Sequence, residues 1–311
     1  MMNYEEFKSY MKENILKAFP DEYADHEVTV QKTRKTNDKI MDGLIIRKNE
    51  KCTPVIYLNG FYESYKDGKS LEDIMSQIAE TYLSAIKPEY ANDEVVNLFS
   101  SYENVKDRIF CKLINTERNK ELLKSVPHIN FHDLSVVFYV LVSQDKSGTA
   151  STLITNEMMN SFHVTVEDLK AAAKENMNKS DPFVVKEMRE VLLELSGLTE
   201  EEFDGAIPAS EDNGILILTN NSKLHGAVWM TSSKALESIS EKLGGNFFIL
   251  PSSIHECIAV PENLTEDDTA TQASNLRDMV YEVNCSTVSI EEWLSDNVYY
   301  YDSEKKKLEI A

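Results

Sequence analysis

The stretch Phe-Phe-Ile-Leu-Pro-Ser-Ser-Ile-His-Glu at residues 247–256 decides how the C-terminal half of the chain is built. Its four leading apolar residues predict a strand, and the apolar run at 257–260 predicts a second strand. Pro251 has no N–H to donate to a sheet, so the chain must turn between the two runs. We therefore predict a β-hairpin whose loop carries four chemically capable side chains, Ser252, Ser253, His255 and Glu256.

This loop is the candidate active site, because a serine, a histidine and a carboxylate can form a hydrolase triad. The mechanism needs a base within hydrogen-bond reach of the hydroxyl, and residues two or three apart at a turn rarely achieve this. The nucleophile motif Gly-x-Ser-x-Gly is also absent from the sequence. The structural alternative is a capping box, in which the Ser253 hydroxyl accepts from the backbone amide of Glu256. A third alternative gives the exposed polar groups of the loop a binding role.

A metal site is considered at one other place, where His128 and His132 are followed by Asp133. The spacing His-x-x-x-His needs a helix to bring both rings to one face. Pro127 and the β-like run after the histidines argue against a helix there, so we expect no metal. The sequence has neither Gly-x-Gly-x-x-Gly nor a P-loop lysine motif, so we expect no nucleotide cofactor.

The composition places the chain among cytoplasmic globular proteins. Of its 311 residues, 42% are hydrophobic, which suffices for one large or two modest domains. No apolar run approaches the ~20 residues that cross a bilayer, and the polar, acidic N-terminus is unlike a secretory signal. The four widely spaced cysteines predict reduced thiols, since none forms a Cys-x-x-Cys pair.

The charge is unevenly distributed and argues against nucleic acid as a direct partner. Residues 1–150 carry 20 basic and 24 acidic side chains, whereas residues 151–311 carry 12 and 29. Phosphate binding needs clustered Lys and Arg, so the C-terminal half should repel nucleic acid and anionic membranes. Solubility is the simplest explanation of the acidic half. The alternatives are a basic protein partner, or mimicry of nucleic acid.

The hydrophobic pattern indicates two units. Residues 1–95 read as an α-β-β-β-α unit, and residues 96–311 as a larger C-terminal domain. The polar, irregular stretch at 88–104 is the predicted boundary. In the larger domain, Leu134–Val142 reads as a central strand, and Thr165 with Asp168 forms a helix-capping box.

Other elements of the larger domain are predicted from short apolar runs. We expect a helix at 182–195, an acidic linker at 199–212 and a strand at 227–230. Strand, turn and helix then recur in β-hairpin-plus-helix units, which we expect to share a mixed sheet.

Four segments also carry a family resemblance: Leu-Ile-Asn-Thr-Glu-Arg-Asn at 113–119, Asp-Leu-Ser-Val-Val-Phe-Tyr at 133–139, Leu-Pro-Ser-Ser-Ile-His-Glu at 250–256 and Leu-Ser-Asp-Asn-Val-Tyr at 294–299. Together they resemble the bacterial domain-of-unknown-function family numbered 5688, over nearly the whole chain. A weaker similarity, in the strand after Asp133 and the helix at 169–176, is to the uncharacterised bacterial family numbered 1444. The resemblance implies a cytoplasmic bacterial α/β protein, and it carries over no catalytic residue.

These observations predict an α+β protein that acts as a non-enzymatic protein-interaction or regulatory module. The alternatives are a hydrolase with its site at the Pro251–Glu256 turn, and an acidic mimic of nucleic acid. A cavity lined by His255, Glu256 and another titratable group would favour the enzyme. An exposed apolar patch would favour the interaction module, whose partner we expect to be a protein, with a basic one as the candidate.

Overall fold

A computed structural model describes residues 1–48, 53–86, 94–145, 148–206, 214–262, 264 and 268–311. The chain divides into two compact units, Met1–Val105 and Lys106–Ala311. The first unit thus ends at Val105, at the far end of the predicted boundary stretch, whose residues 88–93 lie outside the described ones. The separability of the two units stays a prediction: limited proteolysis should cut within 88–104 and leave a stable C-terminal fragment.

The N-terminal unit is built around a three-stranded antiparallel sheet in the order β1-β2-β3. Apolar residues four apart, Phe7 and Met11 on the first helix and Ile15 directly after it, are buried in one cluster with Leu44 and Ile46 of the sheet. The predicted α-β-β-β-α order is confirmed, with one additional helix between the third strand and the predicted final helix. The elements are α1 Tyr4–Asn14, β1 Glu27–Arg34, β2 Ile40–Arg47, β3 Val55–Tyr57, α2 Leu58–Lys66, α3 Leu71–Ala85, α4 Glu94–Leu98 and α5 Tyr102–Val105.

The C-terminal unit contains two sheets, and the α+β class is confirmed. Its strands are β4 Ile109–Asn115, β5 His128–Phe131, β6 Leu134–Asp145, β7 Gly148–Leu153, β8 Phe183–Glu187, β9 Leu216–Asn220, β10 Phe247–Pro251, β11 Cys257–Pro261, β12 Tyr299–Asp302 and β13 Lys307–Ile310. Its helices are α6 Lys120–Leu123, α7 Asn156–Ser161, α8 Val166–Ser180, α9 Met188–Ser196, α10 Glu200–Ala206, α11 Ser233–Leu243 and α12 Thr269–Ser286. None of the described helices has both the length and the apolar character needed to cross a membrane.

The smaller of these two sheets is organised by β6. Strand β4 pairs along one edge of β6, while β5 and then β7 pair along the other edge. Seven successive residues of β6, Leu134–Val140, are buried, as the unbroken apolar run predicts. Helix α8 begins at the predicted capping box, in which Thr165 and Asp168 exchange side-chain and backbone hydrogen bonds.

The larger sheet has six strands in the order β13-β12-β10-β11-β9-β8. The hairpin predicted from residues 247–260 is its centre, with Phe248 opposite Val260. Every pairing among the described strands is antiparallel, so the expectation of a mixed sheet is wrong.

Three of the predicted elements differ from the structure. Residues 182–195 form strand β8 followed by α9 rather than one helix, because the Asp-Pro step at 181–182 ends α8 and sets extended backbone. The predicted strand at 227–230 lies within a 3-10 helix, Gly226–Thr231, which is buried on all sides and therefore lacks a diagnostic period. The predicted linker at 199–212 includes α10, and its residues 207–213 lie outside the described ones.

Candidate functional site

The hairpin loop between β10 and β11 is closed by its own backbone. Pro251 lies opposite Cys257, and the Ser253 N–H donates to the Glu256 carbonyl over 3.3 Å. The Ser253 hydroxyl accepts from the N–H of His255 at 3.0 Å. The predicted capping bond from the Glu256 amide is therefore wrong, because the hydroxyl closes a turn two residues long rather than three. All four candidate side chains of the loop are half-buried.

The His255 imidazole points away from the serines. Its Nδ1 accepts from the backbone N–H of His225 at 3.1 Å, which assigns the ring proton to Nε2. Nε2 lies 3.7 Å from Oε1 of Glu292, and the N–H of Ile254 donates to the Glu292 carbonyl. Both ring nitrogens thus face segments far away in the sequence.

His225 and His255 form a stacked pair of neutral rings. Their centroids are 5.6 Å apart with an interplanar angle of 11°. Burial, with smaller contributions from the charges of Lys112 and His255, lowers the pKa of His225 to about 3. Burial also lowers the pKa of His255, although Glu292 opposes the shift. Neither ring is therefore charged at neutral pH.

This geometry does not assemble a hydrolase triad. A general base needs a free nitrogen toward the serine hydroxyl, but Nδ1 of His255 is occupied and Nε2 carries the proton. The Ser253 hydroxyl is oriented by a backbone N–H instead. The His225–His255 pair is consequently a packed polar contact between the β10–β11 loop and the turn before Gly226.

The three candidate metal ligands do not converge either. His128 directs Nδ1 to the carbonyl of Val126 at 3.1 Å, and His132 is exposed in a left-handed conformation with φ of 55°. The Asp133 carboxylate accepts three hydrogen bonds of its own. Among the described residues, no group of three or more His, Cys, Asp or Glu side chains could hold a metal ion.

Asp133 instead joins the turn before β6 to the segment that leads into β12. Its carboxylate accepts from the Ser295 hydroxyl at 2.6 Å, from Asn297 Nδ2 at 3.1 Å and from the Tyr299 hydroxyl. Burial, and then the charge of Asp133, raises the pKa of the Tyr299 phenol. Asn115 also donates to the carbonyl of Leu294 at 2.9 Å. Three of the segments that carried the family resemblance are therefore in contact.

A cavity of about 330 Å³ is lined by residues from the middle and second half of β6, and we call it the Tyr139 cavity. The Tyr139 ring stacks with Phe110 at 5.9 Å between centroids, and its edge meets His225 at 5.2 Å. Asp181, directly after α8, lies in the wall. The lining residues are Phe110, Tyr139, Leu141, Gln144, Thr149, Ser180, Asp181, Asn221, Ser222 and Leu224. Neither His255 nor Glu256 is among them, so the criterion set for an enzyme is not met at this cavity.

An apolar surface is exposed along α9. Leu192 and Leu195 of the helix and Leu198 just beyond it are 40%, 76% and 44% exposed, and we call them the leucine surface. Helix α9 has no buried residue of its own, and Gly197 ends it in the left-handed conformation. The spacing of three residues places Leu192 and Leu195 on one side of α9, and Leu198 follows the glycine that ends the helix.

A comparison with known protein families gives the same family as the motif segments. The model of a family described as a family of unknown function, DUF5688, matches residues 4–303. The chain belongs to the DUF5688 family. The resemblance found in the sequence is thereby confirmed, and DUF5688 membership covers both structural units. No curated protein and no solved structure matches the chain.

Reasoning from the sequence missed the residues that line the Tyr139 cavity and those of the leucine surface. Tyr139 sits within an unbroken apolar strand, and such a run does not indicate which of its side chains line a cavity. The leucine surface was recognisable in part, since Leu192 and Leu195 are at helical spacing within the predicted helix. Its exposure was not predictable, because exposure depends on what packs against the helix.

Proposed function

We propose that the chain is a non-enzymatic protein-interaction module that binds through its leucine surface. The observation that carries this proposal is the exposure of Leu195, which is 76% with an exposed leucine on either side. Single exposed leucines are ordinary on protein surfaces, but three close together along the chain provide an apolar surface for a partner. Burying a fully exposed leucine side chain contributes roughly 1.5–3 kcal/mol, so these three partly exposed leucines can supply a share of the binding free energy of a complex.

The charge around the leucine surface favours a basic partner. Residues 187–202 contain six acidic side chains and one basic one. Glu194 is held by Lys186 and Lys223, whereas Glu190, Glu200 and Glu201 are exposed in the same region. A basic amphipathic helix, with apolar anchors at one face and Lys or Arg at its rim, fits both properties. A second copy of this acidic chain would bring like charges together.

The hydrolase alternative has less support, because His255 offers the serines no free nitrogen. Mimicry of nucleic acid has only the overall charge in its favour. We further propose a cytoplasmic location, which is supported by the free thiols of Cys111, Cys257 and Cys285. Alkylation of these thiols in intact cells, without a reductant, tests that location.

The interaction is tested by capturing partners with the wild-type chain and with Leu195→Asp. The matched control is Met279→Asp, which places the same charge on α12 at a methionine that is 56% exposed. We expect a protein that is captured at low salt to be lost with Leu195→Asp and kept with Met279→Asp, at equal melting temperatures. Because the Debye length shrinks to ~3 Å at 1 M salt, capture should also weaken there.

Equal capture by all three chains would contradict a role for the leucine surface. Analytical ultracentrifugation of the wild type tests the other possible partner of the leucine surface, which is a second copy of the chain. A dimer that Leu195→Asp dissociates would identify a second copy as the partner, and it would overturn the preference for a basic one.

A further inference from the structure

Asp181 is the one charged residue among the described residues that line the Tyr139 cavity. The Asp181 carboxylate accepts from Asn220 Nδ2 at 2.7 Å and from the N–H and hydroxyl of Ser222, both at 2.9 Å. These neutral donors orient the carboxylate without cancelling its charge. In the part of the chain that the structure describes, no Lys or Arg forms a salt bridge with Asp181.

Two aromatic rings stand in the same wall. Phe110 and Tyr139 stack at an interplanar angle of 25°, and both line the cavity. Aromatic faces attract cations, most strongly where water is excluded. Asp181 is near enough to Tyr139 that its charge, after burial and the Cys111 thiol, raises the pKa of the phenol. The Asp181 carboxylate and the two aromatic rings therefore line the same cavity.

The other polar groups of the described lining residues are neutral. No described residue forms a hydrogen bond with the Tyr139 hydroxyl. Gln144, Thr149 and Asn221 add amide and hydroxyl groups at the rim. The described lining residues include no lysine or arginine, so an anionic ligand would meet a carboxylate without a compensating charge from them.

We propose that the Tyr139 cavity binds an organic cation through its ammonium group, with Asp181 as the counter-ion and Phe110 and Tyr139 as the aromatic walls. The volume of about 330 Å³ is at the lower end of the ~300–1,000 Å³ range of ligand pockets, which selects a small molecule or a single side chain. The acidic surplus of residues 151–311 raises the local concentration of cations. This site is independent of the leucine surface.

A metal ion fits the cavity less well than an ammonium group. Among the described lining residues Asp181 is the only carboxylate, and the neighbouring His225, whose ring centroid is 5.2 Å from that of Tyr139, is neutral. Hard cations are held by several oxygen ligands of charged groups, whereas an ammonium group needs one carboxylate and aromatic faces.

The test is a titration of the full chain at low ionic strength, followed by NMR and calorimetry. The probes are n-butylammonium, choline and N-acetyl-lysine methylamide, and the uncharged control is 1-butanol. We expect at least one cation to bind and 1-butanol not to bind. Tight binding of N-acetyl-lysine methylamide alone would identify a lysine side chain as the source of the ammonium group, whereas butylammonium or choline would identify a free amine.

Two variants connect binding to the cavity. Asp181→Asn keeps an acceptor for the Ser222 N–H and removes the charge, so cation affinity should fall about tenfold. Phe110→Leu removes one aromatic face and should weaken binding without changing the charge. The matched control is Asp278→Asn, which removes an exposed carboxylate from α12 and should leave affinity unchanged.

The proposal is overturned if no cation binds, or if 1-butanol binds as well as butylammonium. It is also overturned if Asp181→Asn and Asp278→Asn have equal effects, since the cations would then be attracted by the acidic surface alone. If Asp181→Asn lowers the melting temperature strongly, Phe110→Leu and 1-butanol decide the outcome on their own.

Discussion

Asp133 and Asp181 make the same number of hydrogen bonds but occupy opposite kinds of surroundings. Asp133 accepts from three side chains that follow it by more than 160 residues, and these bonds fasten β12 to the turn before β6. Asp181 accepts from Asn220 and Ser222, and it also lines a cavity with two aromatic rings. The number of hydrogen bonds therefore does not separate a carboxylate that joins two segments from one that lines a cavity, whereas the space beside the carboxylate does.

The largest expected effect is at Gly226, in the segment that follows the Asp181 donors. A Cβ at this position would lie 2.6 Å from the His255 carbonyl oxygen, 2.6 Å from Thr219 Oγ1 and 2.8 Å from the Asn220 nitrogen. Two of these atoms are backbone and cannot rotate away. Gly226→Ala should therefore cost about 3 kcal/mol or more in the free energy of unfolding, measured by urea denaturation.

Gly245→Ala is the matched control for this change. A Cβ there would meet no atom within 4 Å, and Gly245 is not among the residues with positive φ. Its stability should stay within ~0.5 kcal/mol of the wild type. Equal effects at the two glycines would mean that the approach of Gly226 to the β10–β11 loop is not tight.

The next effect separates the two carboxylates directly. Asp133→Asn puts an amide NH₂ against hydroxyl or amide donors that need an acceptor, in a half-buried place. We expect the free energy of unfolding to fall by about 3 kcal/mol. Asp181→Asn also turns an amide NH₂ toward a donor, Asn220 Nδ2, but it keeps an acceptor for the Ser222 N–H and lies on a cavity wall where water can accept the displaced bond, so it should cost only about 1 kcal/mol. If the two variants are equally stable in urea, the distinction between a fastening and a cavity-lining carboxylate is wrong.

A pH effect is expected at the edge of the Tyr139 cavity, where His225 is held neutral. Its pKa is lowered from the ordinary 6.5 to about 3, so between these values the native state binds fewer protons than the unfolded state. The contribution of the neutral His225 to the free energy of unfolding should therefore be fully present above pH 6.5, and it should be lost as the pH falls through this window. Allowing for partial exposure, the loss by pH 4 should be about 2 kcal/mol.

His225→Asn isolates this contribution, because asparagine tolerates the left-handed φ of 59° at this residue. Urea denaturation of both chains at pH 7, 5 and 4 gives the comparison. The wild type should lose more stability than the variant on acidification. Parallel pH profiles would show that His225 does not titrate differently in the native and unfolded states.

The smallest expected effect is in the loop that the sequence singled out. Ser253→Ala removes the acceptor for the His255 N–H and should cost about 0.5–1 kcal/mol. Ser252→Ala removes no described side-chain hydrogen bond and should cost less. Melting temperatures of the two variants check this order, and a reversal would mean that the Ser253 hydroxyl does not hold the turn.

The sequence predicted elements whose cause is local. The β10–β11 hairpin follows from two apolar runs around Pro251, and the start of α8 follows from Thr165 and Asp168. It did not predict the 3-10 helix after His225, because a segment buried on every side has no polar face to reveal its period.

The candidate sites were less predictable than the fold. The loop with Ser253 and His255 was located correctly, but the partner of His255 is the backbone of His225, thirty residues earlier. Asp181 owes its place in the cavity to the meeting of a helix end, a hairpin and the loop after β9. Such a meeting depends on tertiary structure, which spacing along the chain does not encode.

The bonds of Asp133 have a consequence for the order in which the chain can mature on the ribosome. At ~5–20 residues per second, the ~160 residues between Asp133 and Tyr299 take roughly 10–30 seconds to synthesise. Strand β10 is made only ~50 residues before β12, so for roughly the last 2–10 seconds of that interval β10 lacks this neighbour and one edge of the larger sheet is open to foreign strands. The last few dozen residues thus close the sheet, and the nascent chain needs shelter until they emerge.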